Sequence, residues 1–425
     1  MEYKKISKDN YNLHVIKTDK FKTVNIRVNF KRKIKKNELT IRNFLNNMLL
    51  NNSKKYPTSR DIVIETEELY DLGVRINTIK SGNYSIMSMS EVFLNEKYTE
   101  EGMTKKSVEF LMELLFNPNV DDNKFSNNYF EIVKESIKDE IISIKENPRR
   151  YSLIRLYEEM GNGPISYRSF GYLEDLDKIT RENLYEYYKT VIENDIIDVF
   201  VIGDINEKEI EETIDKYIPK TIRIKNDLSH YVVDEYRNIE KEIKEKVDNI
   251  QSNLAISLKI DNITEFERSY VMNLYSFILG GSGDSKLFKN VREKESLCYT
   301  IGSSVQPLYG TIVISAGIDN KDYEKSVSLI KEQIESIKNG DFTKEDVEKG
   351  IITYINSCKE INDSPVAIIN NYASYEYLNV DLIEEKMNKI KKVTKEDIIS
   401  LATKIKIDTI FLTEGGIEDE KNTSL

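Results

Sequence analysis

The sequence predicts an α+β protein of two homologous domains, each a mostly antiparallel sheet with helices packed on one face. The 425 residues amount to two or three domains at roughly 150 residues each. A capped helix followed by an apolar strand occurs twice, about half a chain apart, and each half opens with an alternating strand and an amphipathic helix. Strands at both ends of each half, with helices between them, are typical of the α+β class.

The composition favours a folded chain and argues against a nucleic-acid partner. Hydrophobic residues make up 39% and charged residues 32%, so apolar content suffices for packed cores. The 62 basic and 73 acidic residues give a net charge of −11, which repels phosphate backbones. The N-terminus has no apolar signal-peptide core, and no segment approaches the ~18 apolar residues of a membrane span. We therefore expect a cytoplasmic protein with neither a nucleic-acid nor a membrane partner.

The first copy of the repeated pattern begins at Thr180, which is placed to cap a helix and is followed by the apolar strand 196–203. The second begins at Thr394, and its strand 407–412 leads towards a glycine pair. The two threonines lie 214 residues apart (394 − 180). This spacing indicates a duplication of whole domains rather than a small solenoid repeat.

The two halves begin alike, with alternating strands at 24–30 and 254–258. Between the halves, charged residues dominate and predict a linker that leads into an edge strand. The resulting division has an N-terminal domain at 1–225, a charged linker at 226–248 and a C-terminal domain at 249–425.

After the first strand, Thr40 is predicted to cap a helix over 41–50. The apolar side chains of this helix form one stripe at helical spacing, which predicts a face towards the core. Asn43, Asn46 and Asn47 fall at positions i, i+3 and i+4 and share the other face. On the residues alone, a solvated surface is the simplest interpretation of these asparagines.

A glycine-rich turn in the second half ends one helix and precedes another. Gly280, Gly281 and Gly283 permit a positive φ or a close backbone approach. A phosphate-binding loop is excluded because Lys286 is not followed by Ser or Thr. A simple helix-breaking turn remains an alternative.

The segment after this turn contains Arg292 and Tyr299. Taken alone, Arg292 would be a solvated helix residue paired with Glu293 or Glu295, and Tyr299 would be a residue of an amphipathic strand.

These motifs resemble those of the insulinase/pitrilysin family of zinc metallopeptidases, which includes the mitochondrial processing peptidases. In that family a helix reads His-Phe-Leu-Glu-His-Met-Leu, in which two histidines bind zinc and the glutamate is the general base. Residues 43–49 here read Asn-Phe-Leu-Asn-Asn-Met-Leu. Because zinc takes about three ligands from imidazole, thiolate and carboxylate groups, the resemblance implies a degenerate metal site.

The remaining candidate ligands do not restore this site. Glu140 matches the family's third, carboxylate ligand but cannot hold zinc alone. His14 and His230 lie in other segments, and we expect them to be ordinary surface or core histidines. Cys298 and Cys358 have neither disulfide nor metal spacing and are expected to be packing residues. We expect no cofactor in this chain, and zinc only in a sibling subunit.

The second half keeps its family motif, Val-Arg-Glu-Lys followed by Leu-x-Tyr, at 291–299. Family members use this arginine and tyrosine to hold the peptide substrate opposite the zinc. The resemblance therefore implies that Arg292 and Tyr299 bind substrate, together with Gly280, Gly281 and Gly283.

In pattern the chain resembles bacterial members that lack the zinc motif and are encoded beside an intact sibling, a group connected with modification of elongation factor P. No residue of this chain supports that connection chemically. The resemblance implies half of a clamshell that is silent alone, pairs with a zinc-bearing sibling and supplies substrate-binding residues in trans for peptide hydrolysis. Two alternatives remain open: a catalytically dead peptide- or protein-binding module acting as a homodimer, and a peptidase with an unorthodox metal site.

Overall fold

The computed structural model describes residues 1–222, 229–232, 239–248 and 251–415. Within these ranges the strands are β1 Glu2–Ser7, β2 Asn12–Lys17, β3 Thr23–Lys33, β4 Gly73–Ser81, β5 Tyr84–Leu94, β6 Val120–Asp121, β7 Lys124–Phe125, β8 Ile196–Gly203, β9 Lys241–Lys246, β10 Ser252–Ile260, β11 Cys298–Gln306, β12 Thr311–Ile318 and β13 Ile405–Glu414. Parts of the predicted linker, 226–228 and 233–238, and the second glycine of the pair at 415–416 lie outside the described residues.

The helices of the same ranges are α1 Leu39–Asn51, α2 Ser59–Glu68, α3 Met103–Phe116, α4 Asn127–Ser143, α5 Pro148–Met160, α6 Leu173–Leu176, α7 Arg181–Asn194, α8 Glu207–Ile214, α9 Met272–Gly280, α10 Tyr323–Lys338, α11 Lys344–Glu360, α12 Pro365–Leu378, α13 Ile383–Ile390 and α14 Lys395–Thr403. Two short π-helical segments occur at Glu267–Val271 and Phe288–Glu293. Among the helices of the described ranges, none is both long and apolar enough to cross a membrane.

The chain packs as two compact units. The first comprises Met1–Ile142, Arg168–His230 and Ser364–Ala373, and the second comprises Ser143–Tyr167, Tyr231–Asp363 and Ser374–Leu425. A division into continuous domains therefore differs from these units in two places. Residues 143–167 pack with the second unit although they lie in the first half of the sequence, and residues 364–373 pack with the first.

The first unit contains a six-stranded sheet in the order β1-β2-β8-β3-β5-β4. Its neighbouring strands are antiparallel except for β2 and β8, which are parallel. Alternate residues of β3, including Val24, Ile26, Val28 and Phe30, are buried in one hydrophobic core. Side chains of a strand alternate between the two faces of a sheet. The apolar residues that recur at every second position of 24–30 therefore lie on the face against which α1, α3 and α7 pack.

The sheet of the second unit repeats this connectivity. Its order is β11-β12-β10-β13-β9, and only β13 and β9 are parallel. Strands β9, β13, β10, β12 and β11 thus correspond in order and direction to β2, β8, β3, β5 and β4 of the first unit. The correspondence confirms the predicted duplication, and the predicted edge strand is β9.

Two of the three predicted threonine caps are confirmed. The hydroxyl of Thr180 accepts the N–H of Asn183 at 3.2 Å, and that of Thr394 accepts the N–H of Asp397 at 3.1 Å. The predicted cap at Thr40 is wrong, because a short 3-10 turn leads directly into α1 and the helix begins at Leu39. The Thr40 hydroxyl instead accepts the N–H of Tyr172 at 3.0 Å.

Helix α5 covers the second face of the second sheet. Leu156 and Met160 of this helix form a buried cluster with Ala255, Val313 and Phe411. These three strand residues alternate with those of the main core of the unit, so they point to the opposite face. The apolar side of α5 therefore packs on the second sheet.

Candidate functional site

Helix α1 presents its asparagines to the protein interior rather than to solvent. Asn43 and Asn46 are buried, with 8% and 1% of their surface exposed, and Asn47 is half-buried. The amide nitrogen of Asn43 donates to the carbonyl of Phe170 at 3.2 Å, and that of Asn47 donates to the carbonyl of Asn43 at 2.9 Å. The interpretation as a solvated face is therefore wrong.

Asn46, at the position of the family's general base, fastens α1 to the edge of the sheet. Its Nδ2 donates to the carbonyl of Asn77 at 3.0 Å, to Oγ1 of Thr78 at 3.1 Å and to the carbonyl of Ser88 at 3.3 Å. All three oxygens belong to β4 and β5. Two of them are carbonyl oxygens, which only accept hydrogen bonds, so a carboxylate in this place would face two acceptors.

The two histidines are core residues bound to their own surroundings. His14 Nδ1 shares a hydrogen bond of 2.9 Å with the hydroxyl of Tyr3, and its Nε2 lies 3.3 Å from Oδ1 of Asp198. His230 Nδ1 shares a hydrogen bond of 2.9 Å with Oγ of Ser81. Within the described ranges, no group of three or more His, Cys, Asp or Glu residues is arranged to hold a metal ion.

The other candidate ligands are also poorly suited to a metal. Glu140 lies on α4 with an exposed side chain. Cys298 and Cys358 are buried free thiols, and burial raises the pKa of Cys298 to about 11 and also raises that of Cys358. Since the thiolate is the form that ligates and reacts, both cysteines behave as packing residues. Among the described residues, these candidate ligands do not suit zinc.

The glycine-rich turn owes its sequence to close packing. A Cβ on Gly280 would lie 2.7 Å from the backbone nitrogen of Ser303, and one on Gly281 would lie 2.8 Å from Cα of Phe277. Gly283 differs, since a Cβ there would meet no described atom within 4 Å. None of the three has a positive φ, so Gly280 and Gly281 allow close approach rather than a left-handed turn.

A serine pair joins α9 to the edge strand β11 beside this turn. The hydroxyl oxygens of Ser276 and Ser303 are 2.8 Å apart, and Ser303 also donates to the carbonyl of Ser276 at 2.9 Å. This contact could not be predicted from the sequence, because 27 residues separate the two serines and neither belongs to a recognisable motif.

Arg292 is exposed at the end of the Phe288–Glu293 segment. Its guanidinium carbon lies 4.6 Å from the centroid of the Phe288 ring. The pairing considered from sequence does not form: Glu295 binds Nζ of Lys325 at 2.7 Å, and no carboxylate of the described residues lies within 4.0 Å of Arg292. The ring supports the guanidinium while its donors face solvent.

Tyr299 is turned outwards by a β-bulge. Cys298 pairs with Ile318 and Thr300 with Gly317, so Tyr299 is an extra residue of β11 without a partner on β12. Its side chain is 62% exposed. Bulges commonly redirect a side chain in this way, and neither this bulge nor the residue it displaces could be located from the sequence.

The structure places Arg292 and Tyr299 at the two ends of the short segment that joins the π-helical turn to β11. Within this segment Ser296 has a φ of 55°, a left-handed conformation that is uncommon outside glycine. The charge of Arg292 also partly offsets the burial that raises the pKa of Cys298.

These features define a class of protein: a duplicated metallopeptidase-like fold whose metal helix carries amides in place of ligands. A family model described as the Peptidase M16 inactive domain matches residues 178–354. The "Probable inactive metalloprotease YmfF" of Bacillus subtilis is 31% identical over 95% of both chains. The chain therefore belongs to the insulinase, or M16, peptidase family and is one of its inactive homologues.

Two further relatives extend the comparison. The "Uncharacterized zinc protease YmxG" of Bacillus subtilis is 22% identical over 68% of both chains. A crystal structure of a conserved protein from Enterococcus faecalis superposes with a TM-score of 0.91 and 28% identity, covering 98% of this chain and all of that one. The two-domain α+β fold of the family is thus shared along essentially the whole chain.

Proposed function

We propose that this chain is a noncatalytic subunit that pairs with a zinc-bearing sibling of the same family and supplies Arg292 and Tyr299 to bind peptide substrate in trans. The observation that carries the proposal is a contrast within the chain. The amide nitrogen of Asn46 donates to its own sheet, whereas Arg292 and Tyr299 keep their polar ends exposed.

The exposed pair has the chemistry that peptide binding requires. A guanidinium offers five donors in a fixed fork that suits carboxylates and carbonyl oxygens, and contact with the Phe288 ring restricts the conformations of Arg292. The phenol of Tyr299 can donate to a peptide carbonyl or to an oxyanion. Neither group activates water, so cleavage requires the zinc and general base of the sibling.

Two further observations support the proposal. The curated relatives from Bacillus subtilis include both an inactive metalloprotease homologue and a zinc protease, so both partners of such a pair occur in one organism. Cys298 and Cys358 are unpaired thiols, which suits a reducing compartment and leads us to propose that the pair acts in the cytoplasm.

The decisive experiment coexpresses the chain with its zinc-bearing sibling and measures peptide cleavage by the purified complex. Arg292→Ala should lower kcat/KM by roughly one to two orders of magnitude, because hydrogen bonds to a charged group contribute ~1.5–3 kcal/mol. Tyr299→Phe should lower it by about tenfold. Lys294→Ala removes a neighbouring exposed cation and serves as the matched control.

Complex formation and the zinc content of the sibling must stay unchanged in every variant, which separates a binding defect from an assembly defect. Equal cleavage by the native complex and the Arg292→Ala/Tyr299→Phe double variant would overturn the proposal. If the isolated chain forms a homodimer and holds peptide without a sibling, the binding-module alternative is correct instead.

A further inference from the structure

A cavity in the second unit lies away from the residues assigned to peptide binding. It encloses about 250 Å³. An apolar cavity of ~150 Å³ holds a benzene ring, so this volume accommodates a ring with a second ring fused to it. The apolar part of its walls comes from separate elements: Tyr270 before α9, Pro307 and Leu308 in the β11–β12 connection, Tyr354 of α11, and Leu378 at the end of α12.

Hydrogen bonds between separate segments hold the cavity in shape. Arg268 Nη1 donates to the carbonyl of Pro307, and its guanidinium carbon lies 4.8 Å from the centroid of the Tyr231 ring. The N–H of Val232 donates to the carbonyl of Leu308 at 2.9 Å. Because these contacts fix the walls before a ligand arrives, binding does not have to pay for ordering them.

The charges on the walls are balanced within the protein. Asp381 accepts hydrogen bonds from Lys389 Nζ and from the hydroxyl of Tyr270. Burial alone would raise the pKa of Asp381, but these bonds outweigh it and lower that pKa. Burial lowers the pKa of Lys386, and the Asp381 carboxylate opposes this shift. Since Arg268 is also engaged, a charged ligand of either sign would lose its water without meeting an unbalanced opposite charge. The walls therefore favour a neutral ligand.

Two polar side chains on the walls are suited to hydrogen-bond a neutral ligand. Asn273 donates through Nδ2 to the carbonyl of Ser269 at 2.9 Å, and its Oδ1 accepts no hydrogen bond from the residues that the structure describes. Ser374 lines the same cavity, and its hydroxyl likewise has no partner among those residues. An amide oxygen only accepts hydrogen bonds, whereas a hydroxyl can donate or accept. A ligand that uses Asn273 must therefore carry an N–H or O–H group.

We propose that this cavity binds a neutral, indole-sized aromatic group whose N–H donates to Oδ1 of Asn273 and whose rings pack against Tyr270 and Leu308. Two sources share this chemistry: a free indole-like compound and the tryptophan side chain of a peptide. The inference goes beyond the proposed partnership with a peptidase. The described walls include neither Arg292 nor Tyr299, so the result of the cleavage experiment does not decide it.

The test is titration of the full chain with indole and with N-acetyltryptophanamide, which represents the side chain in a peptide. The chain contains no tryptophan, so the fluorescence of either probe, excited where tyrosine does not absorb, reports binding without a protein background. At least one of the two should bind with a Kd below ~1 mM.

Two comparisons of probes test the chemistry of the ligand. Benzofuran has the shape of indole with an oxygen in place of the N–H, and it should compete about fivefold more weakly because one hydrogen bond is lost. Indole-3-acetate should bind at least about fivefold more weakly than its neutral counterpart, indole-3-acetamide, because its charge is not balanced in the cavity.

Three variants locate the site. Asn273→Leu removes the acceptor at similar size, and it should weaken indole binding about fivefold while leaving benzofuran unchanged. Ser374→Phe fills the cavity from α12 and should abolish binding. Ser400→Phe adds the same ring at an exposed position of α14 outside the cavity and should leave binding unchanged. Circular dichroism checks the folding of each variant, and Asn273→Leu still tests the site if Ser374→Phe unfolds.

The pattern of binding decides the outcome. Binding of indole identifies a site for a free compound, and binding of N-acetyltryptophanamide without indole identifies a site for a peptide side chain. The proposal is wrong if neither probe binds below ~1 mM, if benzofuran matches indole, or if indole-3-acetate binds more tightly than its amide. Full affinity in both Asn273→Leu and Ser374→Phe would also contradict it.

Discussion

The junction between α1 and β4 in the first unit and the junction between α9 and β11 in the second are equivalent by topology but used differently. In the first, the two N–H groups of the Asn46 amide are shared among three acceptors of β4 and β5. In the second, the hydroxyls of Ser276 and Ser303 join helix to strand, and Arg292 and Tyr299, which we propose bind peptide, are exposed near the start of the strand. The comparison shows that the polar group of the first junction forms hydrogen bonds within the fold, whereas polar groups near the second junction stay exposed.

The second faces of the two sheets differ as well. On the first sheet this face buries a polar pair, His14 and Asp198. On the second sheet it buries Ala255, Val313 and Phe411 under α5. This face of the second sheet also buries polar groups that find partners, since Oγ of Ser257 accepts the N–H of Thr409 at 3.1 Å. The two faces therefore differ in the apolar cluster under α5 and not in whether they bury hydrogen-bonded groups.

The largest expected effect tests whether the first junction is structural. Asn46→Glu should destabilise the chain by about 3 kcal/mol, because a buried carboxylate would face the carbonyl oxygens of Asn77 and Ser88 and would lose the hydrogen bonds that the amide donates. Asn47→Glu adds the same charge at a half-buried position and should cost less than about 1 kcal/mol. Urea denaturation at pH 7 measures both changes.

Equal losses of stability in these two variants would show that Asn46 does not fasten the junction.

The cost of a buried carboxylate at position 46 also limits any attempt to restore the metal site. The Asn43→His, Asn46→Glu, Asn47→His triple variant should bind less than one zinc per chain by elemental analysis, since its glutamate would disrupt the junction that must hold the ligands in place.

A smaller expected effect concerns the pH dependence of stability, which should differ between the cores of the two units. Glu91 of β5 is fully buried, neither carboxyl oxygen has a hydrogen-bond partner among the described residues, and burial raises its pKa well above the usual value. The corresponding strand β12 places apolar residues, Ile312, Ile314 and Ile318, in its core. Only the first unit therefore carries an unpaired carboxyl group in its core within the described residues.

The sign of the pH dependence follows from the raised pKa of Glu91. The folded state holds the proton more tightly than the unfolded state, so this group's contribution to stability is complete below its unfolded pKa of ~4.3 and is lost as the pH rises through the folded pKa. Glu91→Met should therefore gain about 2 kcal/mol at pH 8 and less at pH 5. Denaturant midpoints at the two pH values measure the gain, and an equal gain at both would contradict the assignment.

The sequence was informative where local pattern and tertiary packing agree. The alternation of Val24 to Phe30 reports one buried face, and the caps at Thr180 and Thr394 are local hydrogen-bond patterns that any surroundings allow. The motif containing Arg292 and Tyr299 could be found because it resembles a motif of the insulinase/pitrilysin family. Its exposure rests on a π-helical turn and a bulge, which no residue spacing reveals.

The sequence failed where partners are distant. Leu156 and Met160 of α5 lie in the first half of the sequence but pack on the second sheet, and periodicity identifies an apolar face without its partner. Asn46 looked like a surface residue since its three acceptors lie 31 to 42 positions away.

The smallest effect distinguishes close approach from simple chain reversal within the glycine-rich turn. Gly280→Ala places a methyl group 2.7 Å from the backbone nitrogen of Ser303. Because a backbone atom cannot rotate away, this clash can be relieved only if α9 moves away from β11. The cost should be about 1–2 kcal/mol. Gly283→Ala meets open space and should change stability by less than about 0.5 kcal/mol. If thermal denaturation shows equal losses for the two variants, the glycines serve the turn itself. Unequal losses in the expected order show that the second junction depends on close contact between helix and strand, where the first depends on the amide of Asn46.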